Sequence, residues 1–299
     1  MLQRILVTVN HSAPAMRNGA GTIPILCFVL ALILPAPSPA EEGGPPTSYQ
    51  FHIGAALLDF SYKEFDDDGS LLDREDGVVP GLFIGVTQTR NTWSWSGRFA
   101  FHRGDVAYDG QTSGGIPLTT RTDELFMQVA FQAARPPRGT GLAQSGYYAG
   151  FDYRRWERDI RSTESPPGTF VLGPFEVYQW WSVYAGTNAV LSDRPHGTWS
   201  IDLRLLRTIN PDIRINFHGL YDNVRLDLGE RFGIRLALPW QRRLAGGDLL
   251  TVEPYLEGWK FGRSADRVLT QGGVPAGSVF EPRSETLNIG IQVGLTRPF

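Results

Sequence analysis

The chain has 299 residues, with 28 Lys or Arg against 31 Asp or Glu and a formal net charge of −3. A slightly acidic balance argues against nucleic acid as a partner, because phosphate binding draws on an excess of cations. The single cysteine, Cys27, lies near the N-terminus, so the rest of the chain has no disulfide framework.

Residues 1–40 contain no Asp or Glu; Arg4 and Arg17 precede an apolar run at 25–34, and a Pro/Ala/Ser segment leads to Ser38 and Ala40. This pattern predicts a secretory signal peptide over 1–40, with a retained membrane anchor as the competing reading. The run is about ten residues, half of the roughly 20 that a spanning helix needs. Met16-Arg17-Asn18 begins a signal of more usual length, which points to Met16 as the start of translation. Cys27 has no Leu-Ala-Gly before it, so lipidation is not expected. Residues 41–299 remain as one domain; losing Arg4 and Arg17 leaves 26 basic against 31 acidic residues. No later stretch is apolar enough for a spanning helix, so any membrane insertion must be by strands.

Period-two alternation predicts strands at about 49–62, 78–89, 92–104, 119–133, 145–157, 174–190, 198–208, 224–240, 248–262 and 284–297. In the last, Leu287, Ile289, Ile291, Val293 and Leu295 alternate with Asn288, Gly290, Gln292 and Gly294. One oily and one polar face, repeated along an exported chain, predicts an all-β fold: a closed antiparallel transmembrane β-barrel of about ten strands. Eight or twelve strands remain open, because Ile213–Tyr221 alternates again and either extends a hairpin or adds a strand pair. Short connections alternate with longer ones at 63–77, 105–118, 158–173, 209–223 and 263–283, as in outer-membrane barrels with long loops outside the cell. Trp93, Trp95, Tyr147, Trp199, Trp240 and Phe299 fall near the short-turn rim, and Tyr62, Trp156, Trp180, Trp181, Trp259 and Phe261 near the other. The expectation is two aromatic girdles at the membrane interfaces.

The inward parity is charged. It carries Arg98, His102, Glu124, Asp152, Arg154, Asp202, Arg204, Arg225, Asp227, Arg231, Arg235, Glu253 and Glu257, and Glu285 is expected to pair with Arg263 or Arg235. Only Lys63 and Lys260 are lysines; arginine binds carboxylates bidentately and suits a partly dry network. Such a lumen is either packed shut, giving a structural barrel, or a narrow passive channel for small polar solutes.

Two catalytic readings compete. His218 lies near Asp222, and Asp66-Asp67-Asp68 sit in the first long loop; the chain resembles omptin-type outer-membrane proteases in size and strand count, and those use aspartates and an Asp–His couple at the extracellular rim. His102 with a lumen serine is the starting point for a lipid A-modifying enzyme, but no His-x-Ser element sits at a lipid-facing strand end. Glu64, Asp66, Asp68, Gly69, Ser70 and Glu75 have the spacing of a calcium loop, although Glu stands first and strands flank it; a solvated hairpin tip is the preferred reading. No metal or other cofactor is expected.

The segments Tyr62-Lys63-Glu64-Phe65 with 73–81, and Glu253–Ser264 with Glu281–Thr286 and the final strand, resemble outer-membrane β-barrel proteins of Gram-negative bacteria described as porin-like. The resemblance implies fold and location, and it carries no substrate or catalytic residue. Phe299, ending an alternating strand, is read as the signal for the barrel assembly machinery. Outer-membrane lipid and lipopolysaccharide are the other expected partners of a protein exported through the periplasm, and a monomer is the expected state.

Overall fold

In a computed structural model, which describes residues 7–8, 47–112, 115–165 and 168–299, ten antiparallel strands close into a barrel. They are β1 Thr47–Phe65, β2 Leu71–Arg90, β3 Trp93–Gln111, β4 Pro117–Arg135, β5 Gly146–Ile160, β6 Phe175–Arg194 and β7 Gly197–Asn216. β8 is laid down in three pieces, Val224–Asp227, Phe232–Ala237 and Trp240–Arg243, and is followed by β9 Leu249–Phe261 and β10 Arg283–Pro298. Each strand pairs with the next, and β10 pairs with β1 from Arg283↔Phe65 to Pro298↔Gln50, so the sheet has no free long edge. Apart from Val7–Thr8, the predicted signal peptide lies outside the described residues.

The outer wall carries a continuous apolar belt. Ile53, Leu57, Leu82, Val183, Leu205 and Ile289 are each at least half exposed. Such a belt costs free energy in water and suits lipid. Trp93, Trp95, Tyr147 and Trp199 are exposed around the short-turn end, where Phe299 stacks on Tyr49 at 5.9 Å.

At the long-loop end the strands run further than their hydropathy predicts. Most of 63–77 and 105–118, expected as loops, is hairpin. Beyond the belt the outward positions hold charge: Arg74 lies 3.4 Å from Asp109, and Arg161 binds Asp123 at 2.7 Å. The ladder therefore continues where the apolar alternation stops. Residues 213–216 likewise extend the tall β7–β8 hairpin, and the strand count stays at ten.

One irregularity reorients a whole element. The β6–β7 register shifts between Ile209 and Asp212, with Asn210 at φ 48°, and opposite it β8 breaks between Asp227 and Phe232. One extra residue moves every later side chain to the other face. Ile213, Ile215, Phe217, Leu226 and Leu228 consequently point inward and are buried.

Candidate functional site

The lumen has two halves. Toward the short turns it encloses a cavity of about 560 Å³, lined at the rim by neutral side chains including Gln50, Thr198, Gln241 and Thr251. Deeper lie four arginines and four carboxylates: Arg98, Arg154, Arg204 and Arg235, with Asp152, Asp202, Glu253 and Glu257. Arg154 (β5) binds Asp152 at 3.1 Å and reaches across to Glu257 (β9) at 2.6 Å. Arg235 (β8) binds Glu253 at 2.5 Å, with Asp202 and Glu257 at 3.9 and 3.8 Å. The other two arginines lie over aromatic rings, Arg98 4.1 Å from Phe83 and Arg204 4.3 Å from Tyr184.

Above this cavity the lumen is blocked. Phe60 and Tyr62 of β1, Phe126 of β4, Trp156 of β5, Tyr178 and Trp180 of β6, and Trp259 and Phe261 of β9 make successive ring contacts. Tyr62–Trp156 centroids are 5.0 Å apart and the Tyr62 and Tyr178 hydroxyls 3.2 Å, so β1 touches the wall across the lumen, where Trp156 stacks on its strand neighbour Tyr178 at 4.6 Å. Tyr62, Trp156 and Tyr178 are 0% exposed. These rings form an internal septum. The expected second girdle is thus corrected: of its six residues only Trp181 is exposed on the outer wall, and Trp156 shares the inward parity of Asp152 and Arg154.

On the long-loop side of the septum, Arg158 donates to Glu75 at 3.0 and 3.3 Å, to Glu64 at 3.3 Å and to Glu176 at 2.7 Å. Thr122 donates to Glu75 at 2.6 Å, the Trp156 indole donates to Glu124, and the Tyr178 hydroxyl donates to Glu281 at 2.6 Å. Glu281 descends from the last long loop, fixed by Ser264 N to its carbonyl at 3.0 Å and its own N to Ser264 Oγ at 2.8 Å. Five buried glutamates therefore surround one guanidinium. Sequence reasoning assigned Glu64, Glu75, Arg158 and Glu281 to loops and so missed this cluster.

Of the predicted lumen residues, Arg98, Arg154, Asp202, Arg204, Arg235, Glu253 and Glu257 line the cavity, and Asp152, fully buried, is bound to Arg154. Five others are corrected. The paired irregularity turns Arg225 and Asp227 outward, where Arg225 binds Asp212 at 3.1 Å. Arg231 is exposed beside the break in β8. Arg263 lies in the last loop, 3.2 Å from Asp67 and 2.7 Å from Asp266. Glu285 faces outward and binds Lys260 at 2.7 Å rather than Arg263 or Arg235.

The catalytic expectations find other geometry. Both oxygens of Asp222 are taken by Thr270 Oγ1 at 2.6 Å, Gly273 N at 2.9 Å and Gly272 N at 3.1 Å, which hold its carboxyl below the usual range. No hydrogen bond links it to His218 among the described residues, and His102 lines the lumen cavity. The calcium-spaced residues diverge: Glu64 and Glu75 point to Arg158, whereas Asp66 and Asp68 close the tip turn. Among the described residues no three His, Cys, Asp or Glu side chains are placed to hold a metal ion.

No family model matches the sequence, and no curated protein matches it. The fold is similar to the outer membrane protease OmpT from Escherichia coli, at 10% identity and TM-score 0.53, over 85% of this chain and 96% of that one. Weaker likenesses are the translocator domain of the autotransporter NalP from Neisseria meningitidis (9% identity, TM-score 0.44, 87% and 90% covered) and the Pseudomonas putida toluene transporter TodX (7%, 0.33, 84% and 89%). At these identities the likeness to OmpT shows the fold, an outer-membrane-type β-barrel, and not a reaction.

Proposed function

We propose that the protein is a structural outer-membrane barrel with a lumen closed across its middle, exported through the periplasm and inserted as a monomer among outer-membrane lipid and lipopolysaccharide by the barrel assembly machinery. The apolar belt and the single aromatic girdle support the membrane location. The observation that carries closure is the septum, in which rings from β1, β5 and β6 touch with no exposed surface at Tyr62, Trp156 or Tyr178. A pore needs a continuous polar path, and apolar constrictions block ions by excluding water. With short turns toward the periplasm, the cavity opens on the periplasmic side and ends blind.

Conductance of the purified barrel in planar bilayers tests this. Wild-type protein is expected to insert without single-channel steps. Stable steps would overturn the closed-lumen reading in favour of a passive channel.

A further inference from the structure

Within the cavity the charges are unequally satisfied. All four carboxylates are engaged: Asp152 by Arg154 and Gln128, Asp202 by the Tyr148 hydroxyl at 2.7 Å, Glu253 by Arg235 and Glu257 by Arg154. Arg98 and Arg204 have no carboxylate within ion-pair distance among the described residues. Their partners are neutral: Gln292 Oε1 at 2.6 Å for Arg98, and the Tyr148 hydroxyl at 3.5 Å for Arg204. Both line one cavity, and they repel each other across it. An aromatic ring lies against each guanidinium: Phe83 by Arg98, Tyr184 by Arg204. An aromatic ring makes no claim on a guanidinium's remaining N–H groups, and their fork matches carboxylate or phosphate oxygens. Arg98 Nε and His102 Nε2 of β3, Asn188 Oδ1 of β6 and Asn288 Oδ1 of β10 are buried polar atoms of residues lining the cavity, with no hydrogen-bond partner among the described residues. Unpaired buried polar atoms are costly, and an acid group accepting from Arg98 Nε removes that cost there.

We propose that this half of the lumen is a binding pocket for a small organic anion, a carboxylate or phosphate ester whose acid group is held between Arg98 and Arg204. The volume of about 560 Å³ admits a molecule of metabolite size. The acid group neutralises the unpaired guanidiniums, and Trp180 and Trp259 line the closed end of the cavity. A cation meets only carboxylates already engaged, by arginine or, at Asp202, by the Tyr148 hydroxyl. The rim carries Gln and Thr but no charge, so selection falls to the two arginines. Only the side of entry rests on the closed-lumen reading.

The test is isothermal titration of the full barrel in detergent with citrate and with phenyl phosphate, choline serving as the cation control. Tryptophan fluorescence is followed in parallel, because Trp180 and Trp259 line the pocket. Saturable binding of at least one anion is expected, weakened tenfold or more in Arg98→Gln and in Arg204→Gln and lost in the double variant. Choline should not bind, and the exposed-site variant Arg121→Gln should bind like wild type. Folding of each variant is checked by heat-modifiable gel mobility, and Arg204→Lys, which keeps the charge, should retain part of the affinity. Absence of saturable anion binding to wild type, or equal affinity in the folded Arg98 and Arg204 variants, overturns the proposal. Channel activity of wild type in bilayers would instead overturn closure and leave the dependence of binding on these arginines standing.

Discussion

At Arg158 a single guanidinium holds together carboxylates from three strands. Its side chain is 1% exposed, that of Glu75 0% and that of Glu176 8%. Truncating one member of a buried pair strands the other charges, at a cost of about 3–5 kcal/mol, whereas exposed pairs contribute roughly 1 kcal/mol or less. Arg158→Met is therefore expected to lower stability by about 3–5 kcal/mol. Arg121→Gln, which breaks the half-exposed pair with Asp105, should cost far less, because solvent screens that pair. Guanidinium unfolding followed by tryptophan fluorescence measures both, and equal losses would mean that the cluster does not hold the barrel. This residue was hidden in the sequence for a physical reason. Apolar alternation marks a strand only where lipid wets its outer face, and near Arg158 the outer positions are Glu157 and Asp159. The parity it shares with Asp152, Arg154 and Trp156 was the available signal.

At the scale of elements, hydropathy located all ten strands but not their heights or one change of face. The irregularity at Ile209–Asp212 leaves no mark in an alternation pattern, since Ile213, Ile215 and Phe217 read equally well facing in or out. Only pairing with β6 shows that they fill the lumen. The tall hairpin they build carries Asp222, whose contacts to Thr270, Gly272 and Gly273 tie it to the hairpin formed by Arg267–Gln271 and Val274–Val279. The Thr270 hydroxyl first, then the Gly273 amide, hold the Asp222 carboxyl below its usual value. A depressed carboxyl supports the folded state above the unfolded-state value and loses that support as pH falls through the folded-state one. Hydrogen exchange at the Gly272 and Gly273 amides, corrected for intrinsic rate, should accordingly stay slow at neutral pH and accelerate only below about pH 4. Asp222→Ala should show the fast exchange at every pH. Pronounced protection of both amides in Asp222→Ala would count against the tether.

Across the whole molecule the lumen is divided by chemistry as well as by sterics. Facing the short turns, four arginines balance four carboxylates; beyond the septum, Arg158 faces Glu64, Glu75, Glu124, Glu176 and Glu281. The sequence contained this division, since Phe60, Tyr62, Phe126 and Trp156 sit on the inward parity. Of these, Tyr62 and Trp156 lie at the height of an expected girdle, and their face, not their height, places them inside. Which arginines find carboxylates across the lumen depends on barrel shear, and alternation carries no trace of it. If the septum is the barrier, removing ring area there should create a path whose narrowest part is lined by glutamates in excess. Phe126→Ala combined with Trp156→Ala removes two rings stacked 5.4 Å apart near the centre of the septum and unties Glu124 from the indole. In planar bilayers this double variant is expected to give single-channel steps where wild type gives none. A potassium chloride gradient should yield a reversal potential of cation-selective sign, because fixed carboxylates admit cations. A silent but folded double variant would mean that the long loops, not the rings, close the barrel. Anion selectivity would locate the narrowest point among the arginines of the other half.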